Sequence, residues 1–493
     1  MIDRGTLLNH VGGEWRAAQS SDTVPIRNPA TGEVLAAMPL SEGNDVDRAV
    51  RAASEAFPGW RRTPPGERIQ PLFRLKALLD AHLSEIARII TQECGKTLAE
   101  SEAELKRGIE NVEVATGVPS LMLGASLEDI ASGIDETMIR QPLGVVGVIT
   151  PFNFPAMIPL WFLPYAIACG NTVVLKPSEK TPMTMGRILE LMQVAGFPSG
   201  VVNLVHGGKE TVNALIDHPE VRAISFVGST PVARLIYARA AANGKRAQCQ
   251  GGARNPVVIL PDADMEMTCR ITADSAFGCA GQRCLASSVA ITVGEAAGSF
   301  SKRIAEAAES RKIGCGLDAG VEMGPVISSE SRERIERLIA QALASGGARP
   351  LADGRGARVP GYDSGNFLKP TIIADVDPGC DLARTEVFGP VLSVVHANTL
   401  EDAIEMINLS PYGNMACLFT SSGSAARKFR HEVRAGNVGI NLGVAAPMAY
   451  FPFSGWKDSF FGDLHAQGHD AIDFYTEKKV IVERWPADWS RRF

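Results

Sequence analysis

With 493 residues, the chain is too long for a single hydrophobic core, so two or three domains are expected. Its composition, with 45% hydrophobic and 21% charged residues, is that of an ordinary soluble globular protein. The net charge of -6 at pH 7 gives no electrostatic reason to expect nucleic acid or an anionic membrane as a partner, so small-molecule chemistry is favoured.

The nine cysteines are scattered, odd in number and without a Cys-x-x-Cys pair. This pattern predicts reduced thiols in a reducing, cytoplasmic compartment, and neither a disulfide framework nor a metal site. Residues 1–4 lead into a polar stretch that lacks the apolar core of a signal peptide. Prolines interrupt the most apolar segment, residues 143–175, so no membrane span is predicted.

In chain order, short strands are predicted first, followed by helices over residues 45–57, 66–92 and 98–114. From residue 145 the pattern changes to alternating strands and helices. The predicted strands cover residues 145–150, 172–175, 201–205 and 223–227, and the predicted helices cover residues 183–195, 212–217 and 231–242. Such alternation predicts a doubly wound parallel sheet, which binds ligands outside the carboxyl ends of its strands.

A second α/β region is predicted after residue 284. Its predicted helices cover residues 297–310, 329–345 and 400–407, and its predicted strands cover residues 391–395 and 415–420. Residues 473–482 alternate between apolar and polar, as a half-exposed strand does.

The segment from Phe277 to Cys284 combines glycines and small side chains with two cysteines. Glycine permits close approach of the backbone to a substrate or a flat cofactor, which favours a nucleophilic role for Cys284. Free cysteine is also among the residues most often buried, so a purely structural cysteine is the alternative on these residues alone.

Three further segments carry polar side chains where a doubly wound sheet binds ligands. Asn153 lies in the proline-stiffened turn 151–155, where its amide could hold an oxyanion or satisfy the turn itself. Lys176 and Glu179 follow a predicted strand, where they could bind a ribose or remain solvated charges. Ser229 precedes a helix whose N-terminus suits a phosphate, although an ordinary strand-to-helix turn explains it equally well.

Five segments in this order resemble the motifs of the aldehyde dehydrogenase superfamily over nearly the entire chain. They are Pro151-Phe152-Asn153-Phe154-Pro155, Lys176-Pro177-Ser178-Glu179, Phe226-Val227-Gly228-Ser229, Gly281-Gln282-Arg283-Cys284 and Glu386-Val387-Phe388-Gly389-Pro390. A finer resemblance is to the CoA-acylating, methylmalonate-semialdehyde dehydrogenase branch, through residues 107–113, 154–161, 277–284, 459–463 and 474–476.

The resemblance implies an α/β fold of two doubly wound, Rossmann-like parallel-sheet domains with a small β oligomerisation arm. It divides the chain into an NAD-binding domain (1–123 and 143–250), a catalytic domain (251–455) and the arm (124–142 and 466–493). The arm would pair with a neighbouring subunit, so a homodimer or homotetramer is expected. A lone solvent-capped hairpin is the weaker alternative.

The resemblance also implies roles for individual residues. Cys284 would attack the aldehyde as a thiolate and, after hydride transfer to NAD, would carry a thioester. Asn153 and the backbone N–H of Cys284 would hold the oxyanion. Contacts to NAD would come from Phe152, Lys176, Glu179, Ser229, Glu386 and Phe388. The carboxylate of Glu179 would repel a 2′-phosphate, which favours NAD over NADP.

Gln250 stands where hydrolytic relatives carry a water-activating glutamate. An amide cannot take a proton near neutral pH, so hydrolysis of the thioester should be slow and CoA becomes the expected acyl acceptor. The alternative is that Gln250 only packs while Glu93 or a later carboxylate activates water, which would give a hydrolytic enzyme that forms a free acid.

Arg107 and Arg283 match two arginines that clamp a substrate carboxylate in the resembled enzymes, and a guanidinium fork suits a carboxylate. The alternatives are a surface helix charge for Arg107 and a structural ion pair for Arg283. The charge of Arg283 is also expected to lower the pKa of the adjacent Cys284 thiol. The predicted reaction is NAD-dependent oxidation of methylmalonate or malonate semialdehyde, with decarboxylation, to propionyl-CoA or acetyl-CoA.

Overall fold

A computed structural model describes residues 5–344, 346–377 and 380–485. The strands in these ranges are β1 Asn9–Val11, β2 Glu14–Arg16, β3 Thr23–Arg27, β4 Val34–Pro39, β5 Ala125–Ala131, β6 Ile134–Pro142, β7 Val145–Ile149, β8 Thr172–Lys176, β9 Val202–Leu204, β10 Val221–Val227, β11 Arg246–Gln250, β12 Asn255–Ile259, β13 Ser287–Val293, β14 Arg349–Ala352, β15 Thr371–Ala374, β16 Val391–Ala397, β17 Tyr412–Gly413, β18 Met415–Phe419, β19 Asn437–Ile440, β20 Trp456–Lys457, β21 Phe460–Phe461 and β22 Thr476–Arg484.

The helices of the same ranges are α1 Gly43–Arg62, α2 Pro65–Arg68, α3 Gln70–Ala81, α4 Leu83–Cys94, α5 Leu98–Ala115, α6 Val118–Leu121, α7 Met157–Ala168, α8 Met183–Val194, α9 Lys209–Asp217, α10 Thr230–Ala242, α11 Met265–Phe277, α12 Ala296–Ser310, α13 Ser329–Ala344, α14 Asp381–Arg384, α15 Leu400–Leu409, α16 Gly423–Glu432 and α17 Gly468–Tyr475. A 3₁₀ turn at Gly278–Gly281 follows α11 directly. No helix in the part of the chain that the structure describes is long and apolar enough to cross a membrane.

The first large sheet has the strand order β2-β1-β9-β8-β7-β10-β11-β21. The five strands from β9 to β11 are parallel, and antiparallel strands close both edges. The strand order reverses between β7 and β10. The carboxyl ends of these two strands therefore form the crevice in which doubly wound sheets bind their ligands.

The second large sheet has the order β14-β15-β16-β13-β12-β18-β19 and is parallel except for β14. Residues 251–254 connect the carboxyl end of β11 to the amino end of β12. Cys284 precedes β13, the neighbour of β12, so it lies at the same amino edge. The candidate site is therefore built where the carboxyl edge of one sheet meets the amino edge of the other.

Burial on both faces explains the apolar runs around residue 145. Every residue of β7 and β8 is buried, as expected for parallel strands covered on both sides. All residues of α7 except Met157 are buried as well, because α7 packs between the first sheet, α5 and α17. This helix carries the turn at residues 151–155 at its amino end, so a rigid element supports Asn153.

Three strands, β5, β6 and β22, form a separate antiparallel sheet with β6 in the centre. The strand predicted over residues 473–482 begins only at Thr476. Residues 473–475 instead end α17, because burial of Phe474 and Tyr475 against the protein outweighs their alternating pattern. The predicted arm includes residues 486–493, which lie outside the described residues, and the predicted division into domains stays a prediction.

Residues 66–92 are helical as predicted, but the chain forms three helices there, α2, α3 and α4. Pro71 has no N–H to continue the hydrogen bonding of α2, so a new helix begins at Gln70. A second break occurs at His82, where the backbone leaves helical geometry (φ -102°, ψ 15°). Apolar spacing continues through both breaks, which is why periodicity alone could not detect them.

Candidate active site

The loop before Cys284 has an unusual backbone. Cys279 and Ala280 have φ values of 51° and 53°, and Gly281 follows at 67°. Each non-glycine residue in this left-handed region costs about 1–2 kcal/mol. A Cβ on Gly281 would stand 2.0 Å from the carbonyl oxygen of Gly389, so only glycine fits there. The loop is therefore held in a conformation that its local sequence does not favour.

Two asparagines fix the nucleophile itself. The Nδ2 atoms of Asn255 and Asn414 donate hydrogen bonds of 2.8 and 2.9 Å to the carbonyl oxygen of Cys284. The Cys284 residue is partly exposed and its thiol is free. The backbone of the nucleophile is thus anchored from β12 and from the residue before β18.

The pKa of the Cys284 thiol is raised to about 12, first because burial disfavours the thiolate and second because of the nearby Glu386 carboxylate. Arg283 acts in the opposite direction, but its effect is smaller. The predicted effect of Arg283, which lowers the thiol pKa, is therefore present, but it is too small to offset burial and Glu386. Desolvation and one carboxylate outweigh a single guanidinium.

Asn153 lies beside this loop. Its side chain is buried, and its Nδ2 atom donates to the carbonyl oxygen of Gln282 at 3.0 Å. A side-chain amide has two N–H donors, so the second can serve a developing oxyanion. The structure brings Asn153 and the segment before Cys284 together, and its role as an oxyanion donor stays a prediction.

Glu104 stabilises the segment that follows the turn of Asn153. The sequence analysis did not identify Glu104 as a residue of the site. Its Oε1 atom accepts hydrogen bonds from the backbone N–H groups of Ala156 (2.9 Å) and Met157 (3.1 Å) at the start of α7. Its other oxygen forms a buried ion pair with Lys96. The partners lie about fifty residues apart in sequence, so no local pattern could have indicated them.

Glu100 holds the nucleophile loop in the same way. One carboxylate oxygen accepts from the backbone N–H of Cys279 at 2.6 Å, and the other accepts from Thr97 at 3.0 Å in a capping box that begins α5. The pattern Thr97-Leu98-Ala99-Glu100 is the sequence signature of such a box and could have located the helix start. The second partner, Cys279, is visible only in the folded chain.

Gln250 is buried at the end of β11, and its Nε2 atom donates to the carbonyl oxygen of Phe453 at 2.8 Å. The alternative base Glu93 is engaged elsewhere, since its carboxylate accepts from the N–H groups of Met183 and Thr184 at the start of α8. Burial raises the pKa of Glu93 to about 7. Both oxygens of Glu93 are thus committed to a helix cap.

Glu386 is the carboxylate that the structure brings to the nucleophile. Its Oε1 atom accepts from the backbone N–H of Ala253 at 2.8 Å, and a Cβ on Gly252 would stand 2.4 Å from its Oε2 atom. Burial raises its pKa to about 7. Glu386 therefore changes its charge near neutral pH, close enough to influence the Cys284 thiol.

The residues predicted to bind NAD occur at the carboxyl edge of the first sheet and at the facing loop. Lys176 ends β8 and its Nζ atom lies 3.2 Å from Glu179. Burial is the largest influence on Glu179 and opposes its ionisation, but the charges of Lys176 and Lys180 and two hydrogen bonds together outweigh burial and lower the pKa of Glu179. The rings of Phe152 and Phe388 meet edge to face with centroids 5.8 Å apart.

Ser229 precedes α10 as its N-cap, and its exposed hydroxyl makes no cap hydrogen bond. The start of α10, just beyond the carboxyl end of β10, therefore has a donor hydroxyl and backbone N–H groups without helical partners, which suits a pyrophosphate. These donors, together with the ionic pair at β8, fit a dinucleotide. Among the described residues, no group of three or more His, Cys, Asp or Glu side chains could hold a metal ion.

The two predicted substrate arginines make protein contacts. Arg107 pairs with Glu110 at 2.5 Å and donates to the carbonyl oxygen of Pro447 at 2.5 Å. Arg283 donates to the carbonyl oxygens of Asp274 and Ser275 at the end of α11. Arg107 is therefore more than a surface helix charge, and Arg283 binds backbone oxygens in place of the ion pair considered as its alternative.

Comparison with known proteins identifies the family of the chain. The model of the aldehyde dehydrogenase family matches residues 15–481. The chain belongs to the aldehyde dehydrogenase family. The fold predicted from sequence, two parallel-sheet domains with a small β arm, is confirmed at this level, since solved structures of the family superpose over nearly the whole chain.

Individual members of the family are similar over their full length. Malonate-semialdehyde dehydrogenase 2 of Geobacillus kaustophilus is 50% identical over 97% of this chain and 99% of its own. A methylmalonate-semialdehyde dehydrogenase from Oceanimonas doudoroffii superposes with a TM-score of 0.96 at 45% identity, covering 98% of this chain and 99% of that one. A Sinorhizobium meliloti protein solved in complex with NAD has a TM-score of 0.96 at 42% identity, and the match covers 98% of both chains.

Proposed function

We propose that this aldehyde dehydrogenase oxidises malonate or methylmalonate semialdehyde with NAD and transfers the acyl group from Cys284 to CoA. The reaction includes loss of the substrate carboxylate as carbon dioxide, so its products are acetyl-CoA or propionyl-CoA. The names of its relatives support the substrate class. The observation that carries the choice of acceptor is Gln250, a buried amide in the position of the water-activating base.

The chain's own residues fit the steps of this reaction. Cys284 attacks the aldehyde carbon as a thiolate, and the second N–H of the Asn153 amide stabilises the resulting oxyanion. NAD, when bound, supplies the hydride acceptor. Lys176, Glu179 and Ser229 would hold its ribose and pyrophosphate. The thioester that remains on Cys284 then awaits an acceptor.

Without a general base at the site, the acidity of the acyl acceptor decides which acceptor reacts with the thioester. A thiol with a pKa of about 8.5 provides a useful fraction of thiolate at neutral pH, whereas water, with a pKa of about 15.7, does not. Gln250 cannot remove a proton from water. A thioester at this site is therefore expected to react with the CoA thiol faster than with water.

A hydrolytic dehydrogenase is the second candidate, and one observation favours it. Glu386 lies near Cys284 and has a pKa of about 7, so it could act as a base for water if the nicotinamide ribose does not engage it. The free acid would then form without CoA.

The experiment is to measure NADH formation from both semialdehydes with and without CoA, and to identify the products by mass. We expect acetyl-CoA or propionyl-CoA, with turnover that depends on CoA. In Gln250→Glu, we expect free acid to form without CoA, because a carboxylate restores the base. Gln250→Asn, a neutral control, should keep the CoA dependence. Free acid formed by the wild type at the same rate without CoA would reject the proposal in favour of the hydrolytic reaction.

A further inference from the structure

The segment of residues 443–449, here called the mouth segment, runs between the two arginines of the predicted clamp. At one end, the carbonyl oxygen of Gly443 accepts a 2.5 Å hydrogen bond from the hydroxyl of Ser275. The backbone carbonyl of Ser275 in turn accepts from Arg283 at 3.2 Å. This end of the mouth segment is therefore fixed to α11 beside Arg283.

At the other end, Glu110 divides its carboxylate between Arg107 and the mouth segment. Its Oε2 atom lies 2.5 Å from Nη1 of Arg107, and its Oε1 atom accepts from the backbone N–H of Ala449 at 3.4 Å. Arg107 also donates from Nη2 to the carbonyl oxygen of Pro447 at 2.5 Å. The guanidinium that would bind a substrate carboxylate is thus already occupied by acceptors of the protein.

Partial burial strengthens the ion pair between Arg107 and Glu110. The side chains of Arg107 and Glu110 are 31% and 24% exposed, so water screens their attraction less than it screens a pair on the open surface. Glu110 cancels the charge that would attract an anionic substrate. A neutral aldehyde does not bind through that charge, so its KM should not depend on the ion pair of Arg107 and Glu110.

We propose that Glu110 is an internal competitor for the Arg107 guanidinium, which a substrate carboxylate displaces on binding, and that it thereby tunes the selectivity between carboxylate-bearing and neutral aldehydes. The inference rests on the proposed function, because it takes Arg107 as a member of the substrate clamp. Glu110 acts through Arg107 and is a specificity-determining residue without a direct part in the chemistry.

Removing the charge of Glu110 should leave the mouth segment in place. The buried hydroxyl oxygen of Tyr165 lies 3.2 Å from the carbonyl oxygen of Ala449 and 3.2 Å from Oδ1 of Asn111, so its single proton is shared between these two acceptors. A glutamine at position 110 also keeps an oxygen that can accept from the Ala449 N–H. Glu110→Gln therefore tests the charge with little change in the packing.

The experiment compares malonate semialdehyde with propanal, a neutral aldehyde, in saturating NAD and CoA. In Glu110→Gln, we expect the KM for malonate semialdehyde to fall about threefold, the order of a partly exposed ion pair. Its kcat and the KM for propanal should stay unchanged. Arg107→Leu should raise the KM for malonate semialdehyde at least about tenfold, again without effect on propanal.

Glu113→Gln is the matched control, because Glu113 is an exposed carboxylate on the same helix, three residues beyond Glu110. Its KM values should equal those of the wild type. Thermal unfolding verifies that each variant is folded, and Glu110→Ala, which should show the same fall in KM, replaces the glutamine variant if that one does not fold.

The outcomes separate this inference from the function on which it rests. An unchanged or raised KM for malonate semialdehyde in both Glu110 variants, with the expected loss in Arg107→Leu, would overturn the competitor role and leave the clamp intact. An equal fall in the KM for malonate semialdehyde in Glu113→Gln would also overturn it, since the loss of any negative charge on this helix would then explain the effect. If Arg107→Leu binds malonate semialdehyde as well as the wild type does, the clamp itself is wrong.

Discussion

Burial and Glu386 both raise the pKa of the Cys284 thiol. The effect of burial does not depend on pH, whereas the effect of Glu386 does. As the pH rises through about 7, Glu386 ionises and its new negative charge opposes loss of the thiol proton. In the cofactor-free enzyme, the rate of alkylation of Cys284 should therefore rise by less than the usual factor of about ten per pH unit between pH 6 and 8.

Replacing Glu386 by glutamine tests this coupling. We expect Glu386→Gln to be alkylated by iodoacetamide about tenfold faster at pH 8, which corresponds to about one unit of thiol pKa. The slope of rate against pH should return to about ten per unit. Mass spectrometry identifies the labelled residue, with Cys284→Ala as the control. Slower alkylation in Glu386→Gln would instead show that Glu386 acts as the base that activates the thiol.

At the scale of elements, α5 supports both halves of the site. Glu104 caps α7 and so supports the turn that carries Asn153, while Glu100 binds the N–H of Cys279 in the strained turn before Cys284. A helix that contributes no reacting group thus sets the positions of the nucleophile and of the predicted oxyanion donor. Rigid support of this kind is what places catalytic groups within fractions of an ångström.

We expect Glu100→Gln to destabilise the protein by about 2 kcal/mol, because a neutral amide cannot accept from both the Thr97 and the Cys279 N–H groups. The kcat should fall more than the KM changes, since the loop before Cys284 loses its anchor. Chemical denaturation and steady-state kinetics measure the two effects. Glu102→Gln, at a half-exposed position of the same helix, is the control. Equal stability of both variants would contradict the anchoring role.

At the scale of the whole molecule, the three-stranded sheet of β5, β6 and β22, here called the arm sheet, has apolar side chains that a monomer would expose to solvent. Val480 and Val482 of β22 are 62% and 61% exposed, and Leu127 of the edge strand β5 is 58% exposed. An exposed strand edge with apolar neighbours tends to pair with another chain. These features support the prediction of a homo-oligomer.

The prediction is that Val482→Asp shifts the assembly toward smaller species, because a carboxylate buried in an apolar interface is strongly unfavourable. Sedimentation velocity measures the distribution of masses. Lys479→Gln is the control. Lys479 precedes Val480 in β22 and lies on the opposite face of the sheet, so this substitution should leave the assembly unchanged. If the wild type sediments as a monomer, or if Val482→Asp sediments as the wild type does, the arm is not the interface.

Much of the molecule follows from the sequence alone. Buried parallel strands such as β7 and β8 are uniformly apolar, and turns with proline or glycine separate them from helices, so the doubly wound arrangement was predictable from local patterns. The motifs around Asn153, Ser229, Cys284 and Glu386 were recognisable because their residue types and order are specific to a family that the comparisons confirm.

Tertiary structure alone decided which groups act on one another. The pairing of Glu100 with Cys279, the helix cap by Glu104 and the sharing of Glu110 between Arg107 and the mouth segment join parts of the chain that are far apart in sequence. The raised pKa of the Cys284 thiol likewise depends on burial and on the carboxylate of Glu386, which is close in space but about a hundred residues away in sequence. Patterns of residue type report local conformation, whereas charge, desolvation and hydrogen-bond partners are fixed only when the two sheets meet.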